Sequence, residues 1–116
     1  VEDERVSRTM TLEMLKKMGL NKIVASTNAQ IALEKLKTQK ADLIISDWHM
    51  PVMEGLEFYK AVKKEETLKD IPFLMVTVED SKEKVIEAMK LGIRDYIVKP
   101  LQKSSFEAKV KTLLKI

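Results

Sequence analysis

Four short apolar runs, rich in β-branched residues, recur between longer segments with helical spacing, and this alternation constrains the fold most. The runs lie at residues 22–26, 42–46, 72–77 and 95–98. They are apolar throughout, which is typical of strands in a parallel sheet that helices cover on both faces. The segments between them place apolar residues three or four apart, as amphipathic helices do. The sequence therefore predicts a parallel α/β fold, in which ligands bind at the carboxyl ends of the strands.

Small residues mark the expected helix ends. Gly19 and Asn28 are predicted stop and start signals for the first two helices, and Ser81 is a start signal for the fourth. We expect either Ser104 or Ser105 to cap the last helix.

The first helical segment has no complete strand ahead of it. Only Val1 precedes Glu2 and Asp3, which would lie at the carboxyl end of that strand. Either the chain lacks a few N-terminal residues of the native protein, or its first strand is abnormally short. We expect a truncation, because a central strand of a five-stranded sheet is not easily lost without exposing unpaired edges.

Length and composition exclude several classes of protein. A chain of 116 residues fits one core, so residues 1–116 are predicted to form a single domain. The chain has no cysteine, and His49 is its only histidine, which excludes disulfides, thiolate zinc sites and sites built from several imidazoles. No apolar run approaches the roughly 18 residues of a membrane span, and we recognise no signal-peptide pattern in the first residues. We expect a cytoplasmic protein without a membrane partner.

The net charge of +3 does not predict a nucleic-acid interface. Only three of the 21 basic residues are arginines, and the lysines are spread through the helical segments rather than forming one stripe. Scattered lysine is typical of a solvated surface. We expect no direct binding to nucleic acid.

Chemically useful residues follow the predicted strands. Glu2 and Asp3 follow the first strand, Asp47 the third, Thr77 the fourth and Lys99 the fifth. Three carboxylates without imidazole or thiolate suit Mg²⁺, or Mn²⁺, rather than zinc. A lysine and a hydroxyl beside such an ion suit a transferring phosphoryl group, for which an aspartate can be the nucleophile. The pattern predicts phosphoryl transfer onto Asp47.

Four segments carry a family resemblance: VEDE at residues 1–4, SDWHMPVMEG at 46–55, LMVTVED at 74–80 and DYIVKP at 95–100. Together they resemble the receiver domain of two-component response regulators, and most closely the CheY-like, stand-alone chemotaxis regulators. The resemblance covers essentially the whole chain. It implies a doubly wound, flavodoxin-like sheet of five parallel strands in the order 2-1-3-4-5, with helices on both faces.

The resemblance also implies roles for the site residues. Asp47 matches the phosphoacceptor. Glu2 and Asp3 match the acidic pair that holds Mg²⁺ together with Asp47 and the main-chain carbonyl of His49. Lys99 matches the lysine that contacts the phosphoryl oxygens.

A second group of residues matches the family's switch. Thr77 matches the hydroxyl that moves toward the phosphoryl group, and Tyr96 matches the aromatic ring whose inward rotation reports that move. The change would be read on the surface of the fourth helix, the strand at 95–98 and the last helix. Val78 departs from the usual alanine and is expected to narrow access to the site, and we expect Trp48 to be partly exposed beside it.

The implied function is a signalling switch that takes a phosphoryl group from a histidine kinase. The protein would be an enzyme only in a limited sense, because it would catalyse its own phosphorylation and its own slow dephosphorylation. Implied partners are a motor switch protein or a phosphatase, and the protein would be a monomer or a phosphorylation-dependent dimer.

Two alternatives stay open: a receiver excised from a larger regulator or hybrid kinase, and a docking module that works without phosphorylation. A phosphatase or nucleotide-binding enzyme is disfavoured, because no GxxxxGK[ST] loop is present and His49 stands where dehalogenase-type hydrolases carry a second aspartate.

Overall fold

The computed structural model describes residues 1–50, 52–78 and 82–116. These ranges contain five helices and three strands, in the order α1 (Arg5–Lys17), α2 (Ala29–Thr38), β1 (Ile44–Asp47), α3 (Gly55–Lys64), β2 (Phe73–Thr77), α4 (Lys82–Lys90), β3 (Asp95–Val98) and α5 (Lys103–Leu114). The strands form one parallel sheet in the order β1-β2-β3. The parallel α/β fold predicted from the alternation is confirmed. Within these ranges no helix is long and apolar enough to cross a membrane.

The register of the sheet sets which residues share its carboxyl edge. Asp47 at the end of β1 pairs with Val76, and Thr77 at the end of β2 pairs with Val98. Lys99 follows directly after β3. Because all three strands run the same way, their last residues meet at one edge, where ligands bind in folds of this class.

The core has two parts, one on each face of the sheet, and β2 contributes to both. All five residues of β2 are buried, so this strand is the centre of the described sheet. Phe73 and Met75 belong to a cluster with residues of α2, α3 and α4, whereas Leu74 and Val76 belong to a cluster with residues of α1 and α5. This alternation follows from the two-residue period of a strand, and it confirms that helices cover both faces.

The strand predicted at residues 22–26 is wrong, because the structure forms no strand there. The predicted central strand, which would lie beside this run in the sheet, contains only Val1 and Glu2. The Val1 ammonium donates to the Ile45 carbonyl, Asp47 N–H donates to the Val1 carbonyl at 3.0 Å, and Glu2 N–H donates to the Ser26 carbonyl at 3.0 Å. The two residues thus lie between Ser26 and β1, at the position of the predicted central strand. Residues 22–25 lack a partner strand in the described chain, and an apolar run without one does not form a ladder.

Two of the expected helix ends are found where the sequence placed them. Gly19 follows α1 with a positive φ of 88°, a conformation that favours glycine. The Asn28 side chain accepts a hydrogen bond from the Ile31 N–H at 2.9 Å and caps α2. Both assignments are confirmed.

The predicted cap of the last helix is wrong. α5 already begins at Lys103, and the Phe106 N–H donates to the Gln102 carbonyl at 2.9 Å, so both Ser104 and Ser105 lie inside the first turn. The predicted start signal Ser81 lies outside the described residues.

Candidate functional site

Three carboxylates converge at the carboxyl edge of the sheet. Oxygens of Glu2, Asp3 and Asp47 lie within 4.8 Å of one another. Glu2 is buried, with 7% of its surface exposed, Asp47 is half-buried and Asp3 is exposed. A cation at this point would meet oxygen ligands from residues 2 and 3, just before α1, and from the last residue of β1.

Two further residues hold the acidic segment in place. Arg8, one turn into α1, donates from Nη1 to the carbonyls of Glu2 at 3.0 Å and Asp3 at 3.2 Å. The carboxylate of Glu4 accepts hydrogen bonds from the backbone N–H groups of residues 6 and 7 and caps α1. Neither role was predicted. An acidic residue immediately before a helical segment is a capping signal, whereas Arg8 depends on the path of the loop.

Lys99 supplies the positive charge of the site. Its ammonium lies 2.5 Å from Glu2 Oε1 and 3.4 Å from Asp47 Oδ2. Its backbone N–H donates to the Thr77 carbonyl at 2.7 Å, which continues the pairing of β2 with β3 beyond the last ladder residue. The sheet therefore fixes the start of the Lys99 side chain, and the two carboxylates attract its end.

The proximity of the Glu2 and Asp47 carboxylates changes their acidity. Burial, a hydrogen bond to Glu2 and the negative charge of Glu2 raise the pKa of Asp47 from 3.8 to about 6. Burial acts to raise the pKa of Glu2, but hydrogen bonding with Asp47 and Lys99 outweighs it and lowers that pKa. Burial acts to lower the pKa of Lys99, but its contacts with Glu2 and Asp47 raise it. Without a cation, Asp47 is the carboxyl that retains a proton most readily, and Glu2 and Lys99 form an ion pair.

The donor set fits a hard divalent cation. Glu2 Oε2 is buried and has no hydrogen-bond partner within the described ranges. A buried carboxylate oxygen without a partner is costly, and a bound cation would remove that cost. All three side-chain ligands are carboxylates, which Mg²⁺ and Mn²⁺ prefer and which zinc does not require.

The loop after β1 orients Asp47 tightly. The Trp48 N–H donates to Asp47 Oδ1 at 2.7 Å, and the Gly55 N–H donates to the Trp48 carbonyl at 2.7 Å. A Cβ atom on Gly55 would lie 2.3 Å from the Asp47 carbonyl oxygen, so only glycine allows α3 to begin so close to the strand. Val52 in the same loop has a positive φ of 70°, which is strained for a β-branched residue.

The other predicted site residues lie around this edge. Thr77 is buried at the end of β2, and Tyr96 is half-buried on β3 with its ring edge-on to Trp48 at 6.1 Å. Trp48 is only 1% exposed, so the expected partial exposure is wrong: its indole packs into the core with α3. His49 is exposed, and its Nδ1 lies 4.0 Å from a Glu54 oxygen. The ligand role of the His49 carbonyl stays a prediction.

Comparison with known proteins decides the family. The sequence profile of the response regulator receiver domain matches residues 1–111. The chain is a response regulator receiver domain. The receiver domain is 34% identical over 110 residues to the chemotaxis protein CheY-3 of Vibrio cholerae serotype O1, covering 95% of this chain and 85% of that protein. It is thus a CheY-like member of a family of phosphorylation-activated two-component switches.

Solved structures agree on the fold. The receiver domain of a signal transduction histidine kinase from Syntrophus aciditrophicus superposes with a TM-score of 0.90 at 29% identity, covering 99% of this chain and 86% of that one. The receiver domain of a sensor histidine kinase from Pseudomonas aeruginosa gives 0.89 at 21% identity, covering 100% and 94%, and contains a magnesium ion in its active-site cleft. The doubly wound fold class is therefore confirmed.

Proposed function

We propose that this receiver domain accepts a phosphoryl group on Asp47 from the phosphohistidine of a histidine kinase. The observation that carries the proposal is the convergence of Glu2, Asp3 and Asp47 within 4.8 Å, with the Lys99 ammonium 3.4 Å from Asp47 Oδ2. A nucleophilic carboxylate beside two other carboxylates and one ammonium suits phosphoryl transfer.

In the proposed reaction, an Asp47 carboxylate oxygen attacks phosphorus and the bond between phosphorus and the donor imidazole nitrogen breaks. The electron pair of the broken bond stays on the imidazole nitrogen, and the imidazole leaves neutral because its other ring nitrogen already carries a proton. Lys99 neutralises negative charge on the phosphoryl oxygens, because its ammonium is already within 3.4 Å of the attacking group. Glu2, Asp3, Asp47 and the main-chain carbonyl of His49 would hold Mg²⁺, or Mn²⁺, which supplies Lewis-acid charge stabilisation. Hydrolysis by water would later return the free carboxylate.

Intact mass spectrometry tests the acceptor. The protein is incubated with Mg²⁺ and acetyl phosphate, and one phosphoryl adduct is expected on the wild type. The adduct should be absent from Asp47→Asn and from wild type in EDTA, and it should persist in Asp70→Asn, which changes an exposed aspartate outside the site. An adduct that survives in Asp47→Asn, or none on the wild type with any small donor, would contradict the proposal and favour the docking module.

We propose that phosphorylation is read on the surface of α4, β3 and α5 through Thr77 and Tyr96. Ile86 and Met89 on α4 and Val98 on β3 are exposed apolar residues there, as a docking surface for a protein partner requires.

Methyl resonances of the methionines test this switch. A phosphoryl analogue such as beryllofluoride should shift the resonance of Met89 and leave that of Met10, which is exposed on α1, unchanged. In Thr77→Ala the shift of Met89 should disappear. Equal shifts of both methionines, or a Met89 shift that Thr77→Ala retains, would contradict the assignment.

We further propose that residues 1–116 form a single domain that works as a cytoplasmic chemotaxis regulator. The likeness to a chemotaxis protein supports this function, and the downstream partner would be a motor switch protein or a phosphatase. The likeness to a histidine kinase's receiver domain supports the alternative, a receiver within a larger kinase. Sedimentation of the phosphorylated and unmodified protein distinguishes a monomer from a phosphorylation-dependent dimer.

A further inference from the structure

The last turns of the five helices lie at the same side of the molecule. In a parallel sheet with crossover helices, a helix begins near the carboxyl edge and ends near the amino edge, where the next strand starts. We call this side the basic face, and we define it by seven exposed lysines in those last turns: Lys16, Lys17, Lys37, Lys63, Lys64, Lys90 and Lys111. A lysine there is favourable for each helix dipole. Because the helices share one direction, the topology gathers lysines that the sequence scatters.

The charge of the basic face is not neutralised by the protein. Within the part of the chain that the structure describes, none of the seven lysines forms an ion pair with a carboxylate. Lys63 donates to a backbone group, the Lys69 carbonyl, at 2.8 Å. The loops at this edge contain as many basic as acidic residues: Lys22, Lys40, Lys69 and Arg94 against Asp42, Glu65, Glu66 and Asp70. The loops therefore leave the positive charge of the helix ends in place.

Acidic residues are concentrated at the opposite edge of the sheet. Glu54 and Glu57 lie at the start of α3 and Glu83 at the start of α4, on the side of the three carboxylates of the functional site. The five residues of β2, at about 3.3 Å each, separate the two edges by about 16 Å. This separation is about two Debye lengths at physiological ionic strength. An anionic surface that meets the basic face is thus screened from the acidic edge.

We propose that the basic face binds the anionic surface of a lipid bilayer, with the carboxyl edge of the sheet directed away from the membrane. Lysine suits diffuse headgroup charge, because its ammonium is a point charge, whereas the planar fork that recognises a single phosphate or carboxylate belongs to arginine. The described part of the chain exposes no aromatic ring on which nucleic-acid bases could stack. Such binding is peripheral and needs no membrane-spanning helix. It leaves the functional site open to a phosphoryl donor.

Sedimentation with lipid vesicles tests the proposal on the full chain. The protein should pellet with vesicles of phosphatidylcholine that contain about 30% phosphatidylserine, and it should stay in solution with vesicles of phosphatidylcholine alone. Binding should be lost at about 1 M salt, because the Debye length falls to about 3 Å. Absence of pelleting with the anionic vesicles, equal pelleting with both compositions, or binding that salt does not weaken would overturn the proposal.

Two double variants of equal charge separate the basic face from net charge. Lys64→Gln with Lys90→Gln removes two lysines of the face and should weaken binding to the anionic vesicles at least about tenfold, since each lysine near such a surface contributes roughly fivefold. Lys84→Gln with Lys103→Gln removes two exposed lysines at the starts of α4 and α5 and should bind as the wild type does. Equal weakening in the two double variants would contradict the assignment of the face.

Acetylation of lysines, followed by peptide mass spectrometry, locates the contact. Anionic vesicles should slow the acetylation of Lys64 and Lys90 and leave that of Lys84 and Lys103 unchanged. Equal protection of both pairs would overturn the proposed orientation. Tighter binding to a DNA duplex than to the vesicles at the same salt concentration, lost in the Lys64 and Lys90 double variant, would assign the face to nucleic acid and overturn the proposal. These measurements need no phosphorylation of Asp47, so their outcome is independent of the proposed function.

Discussion

The proton affinity of Asp47 predicts a stability cost in the absence of a divalent cation. Its pKa is about 6 in the fold against an ordinary value of 3.8, so the folded chain binds this proton more tightly than the unfolded chain. Between about pH 4 and pH 6 the folded state therefore holds more protons, and stability falls as the pH rises through this window. The difference between the two pKa values corresponds to a decrease of about 3 kcal/mol in the free energy of unfolding, and this decrease is complete above pH 6. Asp47→Asn cannot ionise and should avoid this loss.

Urea unfolding in EDTA, followed by the fluorescence of the buried Trp48, measures the effect at pH values from 4 to 7.5. The advantage of Asp47→Asn over wild type should grow from near zero at pH 4 to about 3 kcal/mol at pH 7. Asp70→Asn, at an exposed position, should show no such growth. Mg²⁺ should reduce the difference by stabilising the wild type, because it binds the folded state. An advantage that does not vary with pH, or equal behaviour of the two variants, would refute the reasoning.

Three further predictions concern the loops and the lysine. Val52→Asn should stabilise the protein by about 1 kcal/mol, or roughly 4 °C in Tm, because asparagine tolerates a positive φ, whereas Val78→Asn, at another exposed valine, should not. Gly55→Ala should destabilise the fold by about 2–3 kcal/mol in urea unfolding and weaken Mg²⁺ binding in calorimetry, since a Cβ atom has no room there. A Gly55→Ala variant with the unfolding free energy and the Mg²⁺ affinity of the wild type would contradict this packing. Lys99→Ala should retain Mg²⁺ binding but slow phosphorylation by acetyl phosphate at least about tenfold. An unchanged rate would contradict the proposal that Lys99 neutralises charge on the phosphoryl oxygens.

The sequence predicted the fold well where a segment carries its own signal. The apolar runs at 42–46, 72–77 and 95–98 correspond to the three strands within two residues, and Asn28 caps α2 as expected. The run at 22–26 has the same composition but forms no strand, because a strand also needs a partner along its length. Composition cannot report whether that partner is present.

The convergence of the site was predictable, and the details of its support were not. The alternation of strands and helices predicts a parallel sheet, and the carboxyl ends of parallel strands lie at one edge. Glu2, Asp47 and Lys99 were therefore expected near one another. The contacts of Arg8 with two backbone carbonyls and the burial of Trp48 depend on the path of loops and on the direction of a ring. Such features arise from tertiary packing, for which a single sequence offers no local signal.

The division of the core by β2 bears on how freely such a sequence can change. Alternate residues of one strand serve two clusters that lie on opposite faces of the sheet. Substitutions on opposite faces share few contacting residues, so their effects on the free energy of unfolding should be additive. Substitutions within one cluster share contacts, so their effects should not be additive. Each face can then drift in sequence without requiring simultaneous change on the other. This independence gives a physical reason why a solved structure with only 21% identity superposes with a TM-score of 0.89.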